Sequence, residues 1–391
     1  MKKPTIKNSG ISIVSGFSLT IVRIGVALAI MRVSLQVSKN PFKAIFLLRS
    51  LIKERIAIHE NTGGIKAVRS GGKYYWSVNI PGWPSETFDH FVRNEFLRIN
   101  SPELSHLQTI IFAITNVCPL NCIHCYEADN LSSENKLSLN ELKLIMKKID
   151  ENGIRHVQFS GGEPLSRIED MIELMRFSGG KSDFWINTSG FGLTAEKARI
   201  MKQNGMTGAI ISLDDWDESR HNAFRRNNKS FFWVQEAVRN CKNAGLVVCL
   251  SVCATKEFVS EENLIVLHLL AKNMGAGFLR IFEPRKAGRF AEKDVLLSAD
   301  QISIIHKFVF SRNTDLVYKD YPIIQFPGHY QRKSGCMGAG NRYLYIDANG
   351  DFHNCPFCRN PLGNVLNKSI EEGIANARAS GCHEFKQRVL V

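Results

Sequence analysis

Three closely spaced cysteines are the strongest chemical signal in this chain. Cys118, Cys122 and Cys125 stand four and three residues apart, directly after an apolar run that predicts a β-strand. Thiolate ligands favour zinc or an iron–sulfur cluster. Three thiolates cannot complete a four-coordinate site, so a cluster held here would keep one iron open. A zinc site with His124 as its fourth ligand is the alternative.

Further candidate site residues lie at the ends of the next predicted strands or in the loops that follow them. They are Gly161, Gly162, Glu163, Asn187, Ser212 and Arg225. A pair of glycines lets the backbone approach a ligand closely, and Glu163 offers an acceptor for an amino group. Arg225 could hold a carboxylate in a two-pronged fork. Taken singly, each residue is also an ordinary turn, helix cap or solvated loop residue.

The elements that must position these residues are strands alternating with helices. Six apolar runs predict strands, at 109–115, 155–160, 183–188, 208–213, 246–253 and 277–282. Ser138 and Glu141 form a capping box that predicts the start of the first intervening helix. Six such units imply a parallel, barrel-like sheet whose site lies at the carboxyl ends of the strands. Past residue 298 we expect this alternation to stop.

A second set of cysteines occupies the C-terminal region. It consists of Cys336, Cys355, Cys358 and Cys382. Their spacing is compatible with an iron–sulfur cluster or with a structural zinc site of four cysteines. The other cysteines, Cys241, Cys249 and Cys253, are predicted to be structural, since free cysteine is commonly buried as a small apolar residue.

The cysteine triplet, the Gly161–Pro164 stretch and the six units together resemble the radical S-adenosylmethionine (radical SAM) superfamily over residues 109–283. The resemblance implies that Cys118, Cys122 and Cys125 bind a 4Fe–4S cluster whose open iron chelates S-adenosylmethionine. It implies that Gly161, Gly162 and Glu163 hold the amino group of that nucleotide, that Ser212 and Asn187 hold its ribose, and that Arg225 holds its carboxylate. The expected activity is reductive cleavage to a 5′-deoxyadenosyl radical, which abstracts hydrogen from a substrate.

The C-terminal cysteines resemble the SPASM/Twitch extension of the same superfamily. The full SPASM form uses seven cysteines, whereas four are available here, so the resemblance implies one auxiliary 4Fe–4S cluster held by Cys336, Cys355, Cys358 and Cys382. The predicted fold is α/β: a partial (β/α)6 TIM-like barrel with a C-terminal auxiliary iron–sulfur domain and an N-terminal helical and hairpin extension. The predicted domains are 1–55, 56–106, 107–297 and 298–391.

Positive charge is concentrated at the N-terminus. Residues 1–55 carry ten Lys and Arg against Glu54 alone, which leaves +4 of the total +13 for the rest of the chain. Gly10–Met31 is long and apolar enough to approach a membrane-spanning helix, but Arg23 at its centre makes insertion marginal. Asn40 and Pro41 predict the start of a second helix that mixes apolar and basic residues. Three interpretations stay open: attachment to an anionic membrane surface, packing on the enzyme body or a partner, and a true span.

The substrate is less well defined than the chemistry. The first expectation is a peptide or protein side chain, because the superfamily's extended members often modify these. The alternatives are a small-molecule or lipid-linked substrate at the membrane, and, from another class, a non-catalytic electron-transfer or zinc-binding protein. The expected reductant is a flavodoxin or ferredoxin, nucleic acid is not an expected partner, and the expected location is the cytoplasm, with a peripheral position at the inner membrane face as an extension of it.

Overall fold

Three helices and a small antiparallel sheet open the chain. The structure, a computed structural model, describes residues 10–59, 64–101, 107–382 and 384–385. The N-terminal elements are β1 (Ser12–Ser15), α1 (Gly16–Ser38), α2 (Pro41–His59), β2 (Lys66–Ser70), β3 (Lys73–Tyr75) and α3 (Glu86–Asn100). The side chain of Asn40 caps α2 by accepting hydrogen bonds from the backbone N–H groups of Phe42 and Lys43, at 2.9 and 3.2 Å, so the predicted helix start is confirmed.

The alternating residues 65–69 and 73–80 around Ser70, Gly71 and Gly72 predict a β-hairpin, and the structure contains it in a shorter form. Its strands β2 and β3 pair across the Gly71–Gly72 turn, and β1, which was not predicted, pairs antiparallel with β2. The second strand was expected to run to residue 80, yet it ends at Tyr75 because the chain turns there. On the other edge of β3, an isolated bridge joins Tyr74 to Trp83.

All six predicted runs form parallel strands. They are β4 (Thr109–Thr115), β5 (His156–Gly161), β6 (Asp183–Thr188), β7 (Met206–Ser212), β8 (Val247–Cys253) and β9 (Phe278–Phe282). The helices between them are α4 (Leu139–Glu151), α5 (Ile168–Phe177), α6 (Ala195–Gln203), α7 (Glu218–Arg225), α8 (Ser230–Ala244) and α9 (Glu261–Met274). The capping box at Ser138 and Glu141 forms with both of its hydrogen bonds, so that prediction is confirmed.

The alternation does not stop at residue 298 as expected. The C-terminal elements are α10 (Ala299–Thr314), β10 (Ile323–Gln325), α11 (Pro327–Ser334), β11 (Tyr343–Ile346), β12 (Phe352–His353) and α12 (Ile370–Ser380). Strand β10 joins β9 in parallel and β11 joins β4 in parallel, giving a sheet of nine strands in the order β10-β9-β8-β7-β6-β5-β4-β11-β12. The six predicted strands are therefore extended by one strand, β10, on one edge and by two, β11 and the antiparallel β12, on the other. The domain boundaries at residues 55, 106 and 297 stay predictions.

The two faces of the sheet carry different cores. Leu250, Ile281 and their neighbours pack outward under the helices in the main apolar cluster. On the inner face, Trp185 and Phe278 pack against Val68, Tyr75 and Val78 of the N-terminal module. The hairpin region therefore fills the interior of the barrel at the amino ends of its strands, and leaves the carboxyl ends to the site.

Candidate active site

The loop after β4 carries the cysteine triplet. Backbone N–H groups point at two of its sulfur atoms, from Leu120 to Cys118 and from Glu127 to Cys125. Burial raises the pKa of the Cys118 thiol to about 12 and that of Cys125 to about 11. The three thiols are close enough for charges on Cys122 and Cys125 to raise the pKa of Cys118 further. N–H···S hydrogen bonds of this kind stabilise thiolate ligands of a cluster.

Gly161 and Gly162 bring the exit of β5 against this loop. The Gly162 N–H donates to the carbonyl oxygen of Thr115 at 2.9 Å, and the Glu163 N–H donates to that of Val117 at 2.8 Å. A Cβ at Gly161 would overlap the Thr115 carbonyl oxygen, and a Cβ at Gly162 would overlap that of Val117. Gly161 also has a φ of 124°, which other residues rarely adopt. Both glycines are therefore required by the close approach.

Both carboxylate oxygens of Glu163 accept hydrogen bonds from neighbouring residues. It accepts hydrogen bonds from the Thr188 hydroxyl at 2.7 Å, the Ser189 N–H at 2.8 Å, the Ser189 hydroxyl at 2.5 Å and the Leu165 N–H at 3.2 Å. Burial raises the pKa of Glu163, although these donors oppose the shift. The side chain thus ties the end of β6 to the β5 exit, and its expected contact with an amino group stays a prediction.

Arg225, at the end of α7, reaches the cysteine loop. Its Nε donates to an Asp214 carboxylate oxygen at 2.6 Å, and its Nη1 contacts the Cys122 sulfur at 3.6 Å. Asp214, just past β7, also accepts from the Cys253 N–H at 3.0 Å. The sequence interpretation missed Asp214 as the anchor of Arg225. The signal was present, because Asp214 directly follows the polar end of a predicted strand.

The other predicted nucleotide contacts lie at the carboxyl ends of neighbouring strands. The Asn187 side chain on β6 donates to the Phe159 carbonyl oxygen at 3.2 Å, and Ser212 ends β7 in register with Ser251 on β8. Arg280 on β9 is buried, and its Nε has no hydrogen-bond partner among the described residues. Its register neighbour Gln325, on β10, is also buried with an unpartnered Oε1. The barrel interior therefore contains polar groups that the protein itself does not satisfy.

At Arg289, as at Arg280 and Glu283 around the predicted end of the sixth strand, the sequence leaves a site role and simple loop charge pairing equally open. The structure places Arg289 against the triplet, since its Nη1 donates to the Cys122 carbonyl oxygen at 2.7 Å and its backbone N–H donates to that of Cys125 at 3.1 Å. Glu283, which was weighed in the same way, pairs with Arg332 through two hydrogen bonds of 2.7 and 2.5 Å. Arg289 thus supports the loop from the β9 side.

The four C-terminal cysteines converge. The Sγ atoms of Cys355 and Cys358 are 3.5 Å apart, and the Cys336 thiol is hydrogen-bonded to that of Cys382. A charge on Cys336 raises the pKa of Cys355, which indicates that the two pairs lie near each other. Backbone N–H groups again point at the sulfur atoms, from Gly338 to Cys336, from Phe357 to Cys355, and from Phe385 to Cys382 at 3.4 Å.

The loops of the two cysteine sets touch each other. Glu127, two residues after the triplet, accepts from Arg359 at 2.7 Å and from the Tyr345 hydroxyl at 2.7 Å. Arg359 directly follows Cys358. In addition, the rings of Tyr126 and Phe357 meet edge to face with centroids 5.7 Å apart. This contact was not predicted, because nothing in the local sequence links the two regions.

Among the described residues, no three His, Cys, Asp or Glu side chains are arranged to hold a single metal ion, and this applies to the two cysteine sets as it does to a zinc site with His124. His124 instead stacks on Phe224 with ring centroids 4.5 Å apart, and burial lowers its pKa to about 4. A cavity of about 530 Å³ lies away from the cysteines, between α1 and the Trp83–Asp89 segment.

Comparison with known proteins identifies a family domain and enzyme relatives. Residues 112–265 match the model of the Radical SAM superfamily. The chain is 27% identical over 268 residues to mycofactocin maturase MftC of Mycolicibacterium smegmatis, covering 66% of this chain and 67% of that protein. It is 24% identical over 287 residues to the AdoMet-dependent heme synthase of Nitratidesulfovibrio vulgaris, covering 67% of this chain and 77% of that protein.

A solved structure shares the fold at low sequence identity. SuiB of Streptococcus suis, crystallised with its precursor peptide SuiA, superposes with a TM-score of 0.58 at 14% identity, covering 88% of this chain and 79% of that one. The family domain spans the cysteine triplet and β4 to β8, which are the elements that build the site described above.

Proposed function

The chain is an enzyme that carries a radical SAM domain, and from this premise we propose that it cleaves S-adenosylmethionine reductively to abstract hydrogen from a peptide or protein side chain. A 4Fe–4S cluster bound by Cys118, Cys122 and Cys125 would supply the electron that breaks the sulfur–carbon bond and yields the 5′-deoxyadenosyl radical. The observation that carries this proposal is the convergence of three thiols with the Gly161–Gly162 backbone at the carboxyl end of the barrel.

The residues present suit that cofactor. The donor set is three soft thiols, and backbone N–H groups already face two of the sulfur atoms. Glu163 is saturated by protein donors, so we assign it the task of fixing the loop and assign the nucleotide's amino group to the backbone of Gly161 and Gly162. Arg225 holds Asp214 and Cys122 with Nε and Nη1, which leaves Nη2 to donate to the nucleotide carboxylate. Asn187 and Ser212 keep their proposed role at the ribose.

The primary test is product formation. Anaerobically reconstituted protein, reduced with dithionite and given S-adenosylmethionine, should release 5′-deoxyadenosine that is measurable by mass spectrometry. Cys118→Ala should abolish the product, whereas Cys241→Ala, a buried thiol on α8 outside the site, should retain it. Product from Cys118→Ala at the wild-type rate would contradict the proposal.

We further propose that Cys336, Cys355, Cys358 and Cys382 bind one auxiliary 4Fe–4S cluster. Support comes from their convergence and from the three backbone N–H groups that face them. Reconstituted wild-type protein should then contain about eight irons per chain. Cys355→Ala should lose part of that iron while the low-temperature electron paramagnetic resonance signal of the reduced triplet cluster, with added S-adenosylmethionine, persists. Stoichiometric zinc in protein purified without chelators would overturn this assignment.

A peptide or protein substrate is favoured by two relatives. The maturase MftC bears a name that describes processing, and SuiB is crystallised with a precursor peptide. The name of the heme synthase favours the alternative, a small or lipid-linked substrate. Cell extract should stimulate 5′-deoxyadenosine formation. Loss of stimulation after protease digestion of the extract supports the peptide proposal, and retention in a chloroform extract supports the alternative.

We place the enzyme in the cytoplasm, with a flavodoxin or ferredoxin as its reductant. Both proposals rest on the need of free thiols and a low-potential cluster for a reducing environment. Replacing dithionite by reduced flavodoxin should sustain product formation. If neither flavodoxin nor ferredoxin supports turnover that dithionite supports, the proposed reductant is wrong.

A further inference from the structure

The helices α1 and α2 expose an unusual amount of apolar surface. Twenty large apolar side chains are exposed in the described part of the chain, and eleven of them lie between Phe17 and Ile56. On α1 they are Phe17, Ile21, Ile24, Leu28, Met31 and Leu35. Steps of three and four residues put these six on one side of the helix. Exposed apolar side chains concentrated in this way mark a surface that contacts another molecule or a membrane.

This stripe is separate from the face by which α1 packs. Leu19, Val22 and Val33 are buried, and Val33 belongs to the small core that α1 forms with α2 and α3. The packing of α1 within the protein is therefore complete, and the exposed stripe points away from it. Helix α2 adds its own exposed residues, Phe42, Ile45, Phe46, Ile52 and Ile56.

Positive charge accompanies these apolar residues. Lys39, Lys43, Arg49 and Lys53 are exposed on the same two helices and their connection, and no ion pair forms on them within the described residues. The acidic residue of this region, Glu54, is turned inward and pairs with Arg98 and Arg342. Lys2, Lys3 and Lys7 precede the region in the sequence. Apolar side chains flanked by free cations suit the boundary between anionic headgroups and acyl chains.

We propose that the pair of helices α1 and α2 docks the enzyme onto the surface of an anionic lipid bilayer, with both helices lying in the interface. Helix α1, of 23 residues, is long enough to cross a membrane. Crossing would remove it from α3 and from Trp83, whose ring lies so close to Gly25 that a Cβ there would come within 2.5 Å of it. Interfacial docking needs no such rearrangement. It is independent of the radical chemistry and can fail without affecting it.

The test is sedimentation of the full chain with lipid vesicles. The chain should sediment with vesicles of equal parts phosphatidylcholine and phosphatidylglycerol, stay in solution with phosphatidylcholine alone, and be released by salt. The triple variant Lys43→Gln/Arg49→Gln/Lys53→Gln should bind roughly a hundredfold more weakly, at about fivefold for each charge removed.

Apolar variants test the second half of the surface. Phe17→Ser/Ile24→Ser/Leu28→Ser should also lose binding, whereas the matched control Leu316→Ser/Val317→Ser, whose residues are 65% and 71% exposed elsewhere, should bind like the wild type. Thermal unfolding checks that each variant is folded. The proposal is overturned if the variants bind vesicles as tightly as the wild type. It is also overturned if carbonate fails to extract the bound protein, which would indicate a membrane-spanning helix. It is also overturned if the apolar variant dissociates a dimer while no binding to vesicles occurs.

Discussion

At the scale of single residues, the site depends on side chains that hold other groups in place. Glu163 is the example, because its two carboxylate oxygens accept four hydrogen bonds from three residues. A carboxylate offers about four lone-pair positions, so donors within the protein occupy all the acceptor positions of Glu163. Its place in the motif predicts a contact with ligand, but only the structure shows that neighbouring donors occupy it.

Replacing Glu163 by Gln should be costly despite the equal size. Whichever oxygen becomes the amide nitrogen, one backbone N–H, of Ser189 or of Leu165, loses its acceptor in a buried place. We expect Glu163→Gln to lower the free energy of unfolding by roughly 1–3 kcal/mol and to weaken S-adenosylmethionine binding. Urea denaturation and calorimetric titration measure the two effects. The exposed Glu169→Gln is the control, and equal stability of the two variants would contradict the argument.

Replacing Arg280 should raise the stability of the protein, in contrast to replacing Glu163. A buried guanidinium without a hydrogen bond to Nε destabilises the protein, so Arg280→Met should raise the free energy of unfolding by about 1–3 kcal/mol. Arg289→Met, which removes the hydrogen bond to the Cys122 carbonyl oxygen, should lower it. Thermal unfolding of the two variants side by side measures this. A destabilised Arg280→Met would show that its other contacts, such as the Phe282 ring at 5.1 Å, outweigh the cost of burial.

At the scale of elements, sequence pattern predicted what is local. The strands β4 to β9 are long apolar runs flanked by turn signals, and all six were found. Strand β10 was not, since it has only three residues. A short strand near 343–346 was also predicted and is present as β11, but its place beside β4 was not predicted, because its partner lies more than 200 residues earlier in the chain. The same limit applies to the site. Cysteine spacing is local, whereas the Glu127–Arg359 contact and the anchoring of Arg225 depend on tertiary packing.

Gly162, directly after β5, should tolerate no side chain. Gly162→Ala places a Cβ against the Val117 carbonyl oxygen and the Cys118 side chain, so the cysteine loop must move. We expect a loss of about 1–3 kcal/mol in stability and a reduced iron content after reconstitution. Iron and sulfide analysis is the measurement. Gly10→Ala, where no atom lies within 4 Å of the added Cβ and φ is not positive, is the control, and wild-type iron in Gly162→Ala would contradict the proposed cradle.

The Glu127–Arg359 ion pair between the two cysteine loops should make a measurable contribution to stability. Arg359→Met leaves the buried Glu127 carboxylate without its charged partner, which we expect to cost roughly 2–4 kcal/mol in stability. Arg176→Met breaks a pair whose side chains are 59% and 40% exposed and should cost less than about 1 kcal/mol. Chemical denaturation compares the two variants. Equal costs would mean that the bridge contributes no more than a surface ion pair.

At the scale of the whole molecule, Glu95 joins the N-terminal helices to the strand β11. It is buried on α3, accepts from Gln108 at 2.8 Å and pairs with Arg342, which precedes β11. Burial raises its pKa, but Arg342, Arg55 and Arg98 outweigh that effect and hold the pKa at about 2. The ionised carboxylate therefore supports the contact between distant parts of the chain.

This network predicts a defined sensitivity to acid. Because the folded pKa of Glu95 lies below the unfolded value of about 4.3, the stability it contributes is complete above that pH and is lost as the pH falls towards 2. The contribution is roughly 3 kcal/mol at neutral pH. Glu95→Gln should be less stable at pH 7 and should lose much less stability between pH 5 and pH 3 than the wild type. Parallel pH dependences in that window would contradict the assignment.

Val68, Tyr75 and Val78 occupy the barrel among Trp185, Ile210 and Phe278, and this has a consequence for molecular traffic. With that end filled, the ligands of the proposed reaction can reach the site only from the rim where the cysteine loops lie or between β10 and β12, the two unpaired edges of the sheet. We expect the nucleotide and the products to share the approach along the rim, so that a bound product obstructs the next nucleotide. Steady-state kinetics should accordingly show product inhibition against S-adenosylmethionine.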